Sequence, residues 1–201
     1  MRRPIGAVAI LSGLMVLLLA AQYAGDIAAG RLDRWAQAAV IAWWPDAGYG
    51  ALVIDYVGQP AGVVVGTGLL AAICLTLGRW RLAVVVVVGL GVTGVVTLGL
   101  KPVVGRTIHD GFLAYPSGHT ATATVFALVV MLLVVDLHGT GTRFGLLLIL
   151  SGACVGGATM ALSQITLGAH YPTDTVGGFC VAMVVVPATA YLIDRGTGYL
   201  T

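Results

Sequence analysis

Residues 113–123 read LAYPSGHTATA, an interruption by proline, serine, glycine and histidine in a chain built mostly of Val, Leu, Ala and Gly. Of its 201 residues 59% are hydrophobic and 9% charged, mean hydropathy is +1.00, and glutamate is absent. Soluble domains carry about a quarter charged residues, so the composition implies a membrane protein. Polar groups are expensive in such surroundings, and those of 113–123 therefore point to a function.

Apolar runs flank this stretch on both sides. Crossing hydrocarbon takes about 20 helical residues at roughly 1.5 Å each, and six runs approach that length: 5–23, 61–78, 82–100, 120–138, 144–162 and 175–193. The expected fold is an all-α membrane protein, one six-helix transmembrane domain over residues 1–201. The opening MRRPIGAVAILSGLMVLLLAAQYAG reads as an anchored first span, because the run is long for a signal core and no small-x-small site follows. Between the first two spans, DRWAQAAVIAWWPD places Trp35, Ala38, Ala39, Ala42 and Trp43 on one helical face, with Pro45 ending the run. Tryptophan favours the headgroup region, so this segment is expected to lie in the interface.

The connecting segments alternate in charge. Arg2, Arg3, Arg79, Arg81, Arg143 and Arg195 fall on one side with Asp136 and Asp194; Arg31, Arg34, Lys101 and Arg106 fall on the other with Asp26, Asp33, Asp46, Asp55, Asp110 and Asp174. The excess of arginine in the shorter loops predicts that both termini are cytoplasmic. Cys74, Cys154 and Cys180 all lie within expected spans and read as packing residues. Glycines four apart, in GVVVG (62–66) and GACVG (152–156), predict close helix approach within the bundle.

The residue types capable of chemistry gather on the second side. LKPVVGRTIHDGFLAYPSGHTATA and ALSQITLGAHYPTDTVGG bring Lys101, Arg106, His109, Ser117, His119, His170 and Asp174 to one level, with three of the four histidines. PSGH opens a span, so the amides of Ser117, Gly118 and His119 lie at a helix N-terminus, which suits an anion. Lys101 and Arg106 add positive charge. His170 and Asp174 stand four apart, a spacing that lets the carboxylate face one imidazole nitrogen and leave the other as a nucleophile. Such an imidazole can attack phosphorus, and His119 can protonate the leaving oxygen. Zinc is a rival for these histidines, but the sequence holds no HExxH and no closely spaced His/Cys set. His138 belongs to the opposite side and reads as solvated.

These residues resemble the type 2 phosphatidic acid phosphatase family, integral-membrane lipid phosphatases related to vanadium haloperoxidases. The motifs appear as KPVVGRTIH (101–109), PSGH (116–119) and SQITLGAHYPTD (163–174). The resemblance implies His170 as nucleophile, Asp174 as its partner and His119 as acid, with Lys101, Ser117 and Gly118 holding phosphate. It implies no cofactor and no metal. The partners it implies are a lipid phosphate substrate and the surrounding lipids, with no nucleic acid. The chain departs from the family pattern where arginine-proline is replaced by Ile108 and His109, and where the arginine after Ser163 is replaced by Gln164. A hydrogen bond to a charged group is worth about 1.5–3 kcal/mol, so each lost arginine costs on the order of ten- to a hundredfold. Arg106 and the amide of Gln164 are the candidates to compensate by contacting phosphate.

The expected activity is metal-independent hydrolysis of a lipid phosphomonoester or pyrophosphate at the extracytoplasmic face. The competing expectation is a related protein that binds lipid phosphate without turning it over. Transport is disfavoured, since the centres of the spans hold few ionisable residues.

Overall fold

The computed structural model describes residues 2–45, 48–109 and 111–197. Among these residues eight α-helices follow one another: α1 (Arg2–Gln22), α2 (Arg31–Trp43), α3 (Gly48–Asp55), α4 (Pro60–Thr76), α5 (Trp80–Val104), α6 (Gly118–His138), α7 (Thr142–Thr166) and α8 (Pro172–Gly196). A 3₁₀ turn, Tyr56–Gly58, joins α3 to α4. Between α5 and α6 a two-stranded antiparallel ladder, β1 (Thr107–Ile108) and β2 (Phe112–Leu113), pairs Thr107 with Leu113 and Ile108 with Phe112.

Five of these helices (α1, α5, α6, α7 and α8) are long and apolar enough to cross a bilayer singly. The segment expected as a simple span at 61–78 differs from these five. There α4 has only 17 residues, and it reaches spanning length with α3 and the 3₁₀ turn as a pair bent by 62°. Pro60 at the first turn of α4 has no amide to offer the preceding turn, which accounts for a break at this point. The 13-residue α2 is too short to span. Its Trp35 and Trp43 are exposed, as expected of an interfacial helix.

α6 lies at the centre, against α5, α7 and α8, while α1 packs on α8. Val86 of α5, Val125 and Val129 of α6, Ala153 of α7, and Ala182 and Val186 of α8 form the buried core. Lipid tails are as apolar as these side chains, so close packing rather than water exclusion holds such helices together. The GACVG stretch shows it: a Cβ on Gly152 or Gly156 would meet Met131 or Ala127 of α6 at 2.2 and 2.6 Å.

Ion pairs Arg79–Asp136 and Arg81–Asp194 tie the start of α5 to the ends of α6 and α8. These charges share one end of the bundle, as the alternation predicts. Asp46, Asp110 and the side chains of Arg2 and Arg3 lie outside the described residues. At the opposite end, the end of α5, the start of α6 and the α7–α8 turn come together. Lys101, expected in a loop, belongs instead to the last turn of α5, which Gly105 closes by donating its amide to the Lys101 carbonyl at 2.9 Å.

Candidate active site

Ser117 is the N-cap of α6 and is completely buried; its Oγ accepts from the Thr120 amide at 3.3 Å and from the Thr120 hydroxyl at 3.1 Å. Both bonds leave the Ser117 hydroxyl proton free to donate. The amides of Gly118 and His119 lie in the first turn, where a helix provides no internal acceptor. The Ser117 amide differs from the expectation of a free donor, since it gives its hydrogen to the Asp174 carbonyl at 3.0 Å. PSGH is thereby bonded directly to the first turn of α8. Two α8 glycines make room for it: a Cβ on Gly178 would stand 2.2 Å from the Ser117 carbonyl oxygen, and one on Gly177 would stand 2.4 Å from the Tyr115 ring. Tyr115 is fully buried and donates its hydroxyl to Val16 of α1 at 2.8 Å, which anchors the loop from the other side.

His170 precedes α8 and is nearly buried; its Nδ1 lies 3.8 Å from Asp174 Oδ2 and has no hydrogen-bond partner among the described residues. Asp174 is fully buried and uses both carboxylate oxygens. Oδ2 accepts from the Tyr171 amide at 2.9 Å, closing a capping box on α8, and Oδ1 accepts from Arg106 at 2.6 Å. The carboxylate that faces the imidazole is therefore fixed by helix geometry and by an ion pair.

Arg106 itself has no exposed surface. Its Nη1 donates to Asp174 and to Thr173 Oγ1 (2.7 Å), its Nη2 donates to Asp33 Oδ2 (2.5 Å), and its plane stacks between the rings of Tyr23 and Tyr171, 4.2 and 4.5 Å from their centroids. Burial opposes the charge, but the Asp174 and Asp33 carboxylates outweigh it and hold the guanidinium pKa above its ordinary value. Both terminal nitrogens are thus taken up by two carboxylates and a hydroxyl, while Nε has no hydrogen-bond partner among the described residues. Asp33 in turn accepts from the Thr173 amide at 2.9 Å, so α2 is pinned to the start of α8.

Gln164, in the last turn of α7, donates to Asp55 Oδ1 at 2.7 Å, and its neighbour Ser163 donates to the Ala51 carbonyl at 2.7 Å. α3 is thus fastened to α7. Asp55 Oδ1 also lies 3.3 Å from His119 Nε2, and Gly58 packs so tightly on His119 that a Cβ there would stand 2.2 Å from the ring. Lys101 Nζ donates to the Leu113 carbonyl at 2.5 Å. His109 has a left-handed backbone (φ 36°), and its Nε2 lies 2.8 Å from the Gly168 carbonyl oxygen, joining the β1–β2 turn to the α7–α8 turn. Ile108 is buried with Ala114 and Tyr171.

A family model described as PAP2 superfamily matches residues 80–197, more than half of the chain. The chain belongs to the PAP2 superfamily. Among curated proteins it is similar to phosphatidylglycerophosphatase B of Bacillus subtilis (strain 168), with 26% identity over 87 residues, 43% of this chain and 42% of that protein. The match thus spans less than half of the relative's length. Among solved structures it is similar to the first transmembrane PAP2 type phosphatidylglycerolphosphate phosphatase from Bacillus subtilis, with a TM-score of 0.70 over 96% of this chain and 97% of that one. Identity there is 16%, so the likeness speaks for the fold.

The PAP2 match covers α5 to α8 and with them Lys101, Arg106, PSGH, Gln164, His170 and Asp174. Asp33 and Asp55 come from α2 and α3, outside the matched region, and the charge alternation places them only on one side of the membrane. What set them apart in the sequence is isolation: they are two of only eight acidic residues, and Asp55 ends the apolar helix GYGALVID.

Proposed function

We propose that the protein hydrolyses a lipid phosphate through a phosphohistidine on His170, without a metal ion, the whole chain acting as one transmembrane domain. The observation that carries this reading is the His170–Asp174 pair beside the N-terminus of α6. With Asp174 facing Nδ1, the proton of neutral His170 belongs on Nδ1 and the Nε2 lone pair is free to attack phosphorus. The phosphoryl oxygens are received by the amides of Gly118 and His119, the Ser117 hydroxyl and Lys101. His119 protonates the departing lipid oxygen, and water then attacks the phosphohistidine with His119 taking its proton.

Orientation follows from the charges: both termini cytoplasmic, the site at the extracytoplasmic level. Lateral access from the bilayer is supported by an apolar cleft of about 340 Å³ between α4 and α6, lined by Tyr56, Val57, Gly66, Leu70 and Phe126 and adjoining the turn that packs on His119. The names of both relatives concern phosphatidylglycerophosphate, which favours a glycerolipid phosphate over a polyprenyl phosphate or pyrophosphate.

Binding without turnover is favoured by one observation. The terminal nitrogens of Arg106 are taken by Asp33, Asp174 and Thr173, and Ile108 and Gln164 bring no charge, which leaves Lys101 as the cation proposed beside the phosphate position. The test is phosphate release by purified protein in detergent, over glycerolipid and polyprenyl phosphates with EDTA present, beside His170→Ala. Release that survives EDTA and disappears in the variant supports hydrolysis. Saturable lipid-phosphate binding with no release from wild type supports the alternative.

A further inference from the structure

The site contains a second aspartate–histidine pair. Asp55 Oδ1 lies 3.3 Å from His119 Nε2, an atom shielded from solvent that has no hydrogen-bond partner among the described residues. Asp55 is held in turn by two side-chain amides, Gln164 on Oδ1 and Gln59 on Oδ2, each at 2.7 Å. The arrangement parallels the first pair, in which Asp174 faces His170 and is held by Arg106 and the Tyr171 amide.

The two pairs differ in the charge of what holds the carboxylate. Arg106 neutralises Asp174, which suits a histidine that must be a neutral nucleophile. Gln164 and Gln59 are uncharged, so Asp55 keeps its full negative charge for His119. The charged and titratable groups that bear on His119 are Asp55 from α3, His170 from the turn before α8 and Lys101 from α5. Burial of the ring, His170 and Lys101 all oppose charge on His119, and of these groups only Asp55 is negative, so its carboxylate is what offsets part of that cost.

We infer that Asp55 is the positioning residue of His119, fixing its ring and favouring the imidazolium needed to protonate the leaving oxygen, and that Gln164, where the family pattern has arginine, holds Asp55 without cancelling its charge. With Nε2–H directed at Asp55, the proton delivered is the one on Nδ1. It passes to the lipid oxygen as the P–O bond breaks, leaving neutral His119 with Nε2–H retained. In the second step Nδ1 takes a proton from the attacking water. The substitution at 164 then serves the acid rather than weakening the phosphate clamp alone. This inference rests on the phosphatase reading above.

The test compares two substrates in wild type and Asp55→Asn: a short-chain phosphatidic acid, whose alkoxide must be protonated, and p-nitrophenyl phosphate, whose phenolate leaves unprotonated. Asp55→Asn is expected to lower kcat/KM for the lipid on the order of 10- to 100-fold, part of the 10²–10⁴ that general acids supply, and for the nitrophenyl ester by less than about threefold. The basic limb of the lipid profile is expected to move down by about one pH unit or more. In a His119→Asn background, Asp55→Asn is expected to have no further effect. Should Asp55→Asn not accumulate, Asp55→Ser is read in the same way. Equal losses on both substrates, an unmoved basic limb, or losses that add to those of His119→Asn would overturn the inference while leaving the phosphatase reading intact. A wild type that releases phosphate from neither substrate overturns both.

Discussion

The guanidinium of Arg106 meets the carboxylate of Asp174 at 2.6 Å, and neither side chain has any solvent exposure. The residue proposed to orient His170 is thus held from behind by a cation that shares itself with Asp33 of α2. Removing one partner of a buried ion pair leaves an uncompensated charge and costs about 3–5 kcal/mol. Arg106→Ala is expected to lose that much stability, read as a lowered thermal midpoint in detergent. Arg106→Lys is expected to recover only part of it, because an ammonium cannot fork to two carboxylates.

Asp174→Asn keeps the shape of the side chain and loses the charge proposed to set the imidazole tautomer. Turnover is expected to fall on the order of 10³–10⁴-fold, the scale seen when an orienting carboxylate becomes an amide. Binding of a non-hydrolysable lipid phosphonate, followed by isothermal titration, should change far less than turnover.

Gly178 is the seat of PSGH, with a Cβ position 2.2 Å from the Ser117 carbonyl. That contact is to backbone, which cannot rotate away. Gly178→Ala is expected to cost about 1–3 kcal/mol by overpacking and to lower turnover as well, since Ser117 moves with the chain. Gly94→Ala, in a position with nothing within 4 Å, serves as the control and should leave both melting and activity as they are.

At Gly58 the added methyl would strike the His119 ring. Displacing a reacting group by about 1 Å can cost on the order of 10²-fold. Gly58→Ala should therefore lower activity on lipid substrates on that scale, checked by phosphate release, with little loss of thermal stability because the turn is half-exposed.

What the sequence disclosed was governed by spacing. His170 and Asp174 are one helical turn apart, and PSGH is contiguous, so their grouping could be read directly. Six apolar runs of spanning length made the bundle legible, apart from the bend before α4 that Pro60 introduces. Asp33 reaches Thr173 across 140 positions, and Asp55 reaches Gln164 across 109. Such pairings depend on how α2 and α3 dock on α7 and α8, which neither periodicity nor motif encodes. For the same reason Arg106, a cation two residues before the family's arginine position, read as a phosphate ligand, whereas its three acceptors come from α2 and α8.

His170 is the residue proposed to carry the phosphoryl group. The most direct measurement is rapid alkaline quenching of turnover on a ³²P-labelled lipid phosphate, followed by separation of protein from lipid. Label is expected on wild-type protein that survives alkali, is lost in mild acid as a phosphoramidate should be, and is absent in His170→Ala. Phosphate release by His170→Ala at the wild-type rate, or steady turnover by wild type with no label trapped at any time, would contradict it.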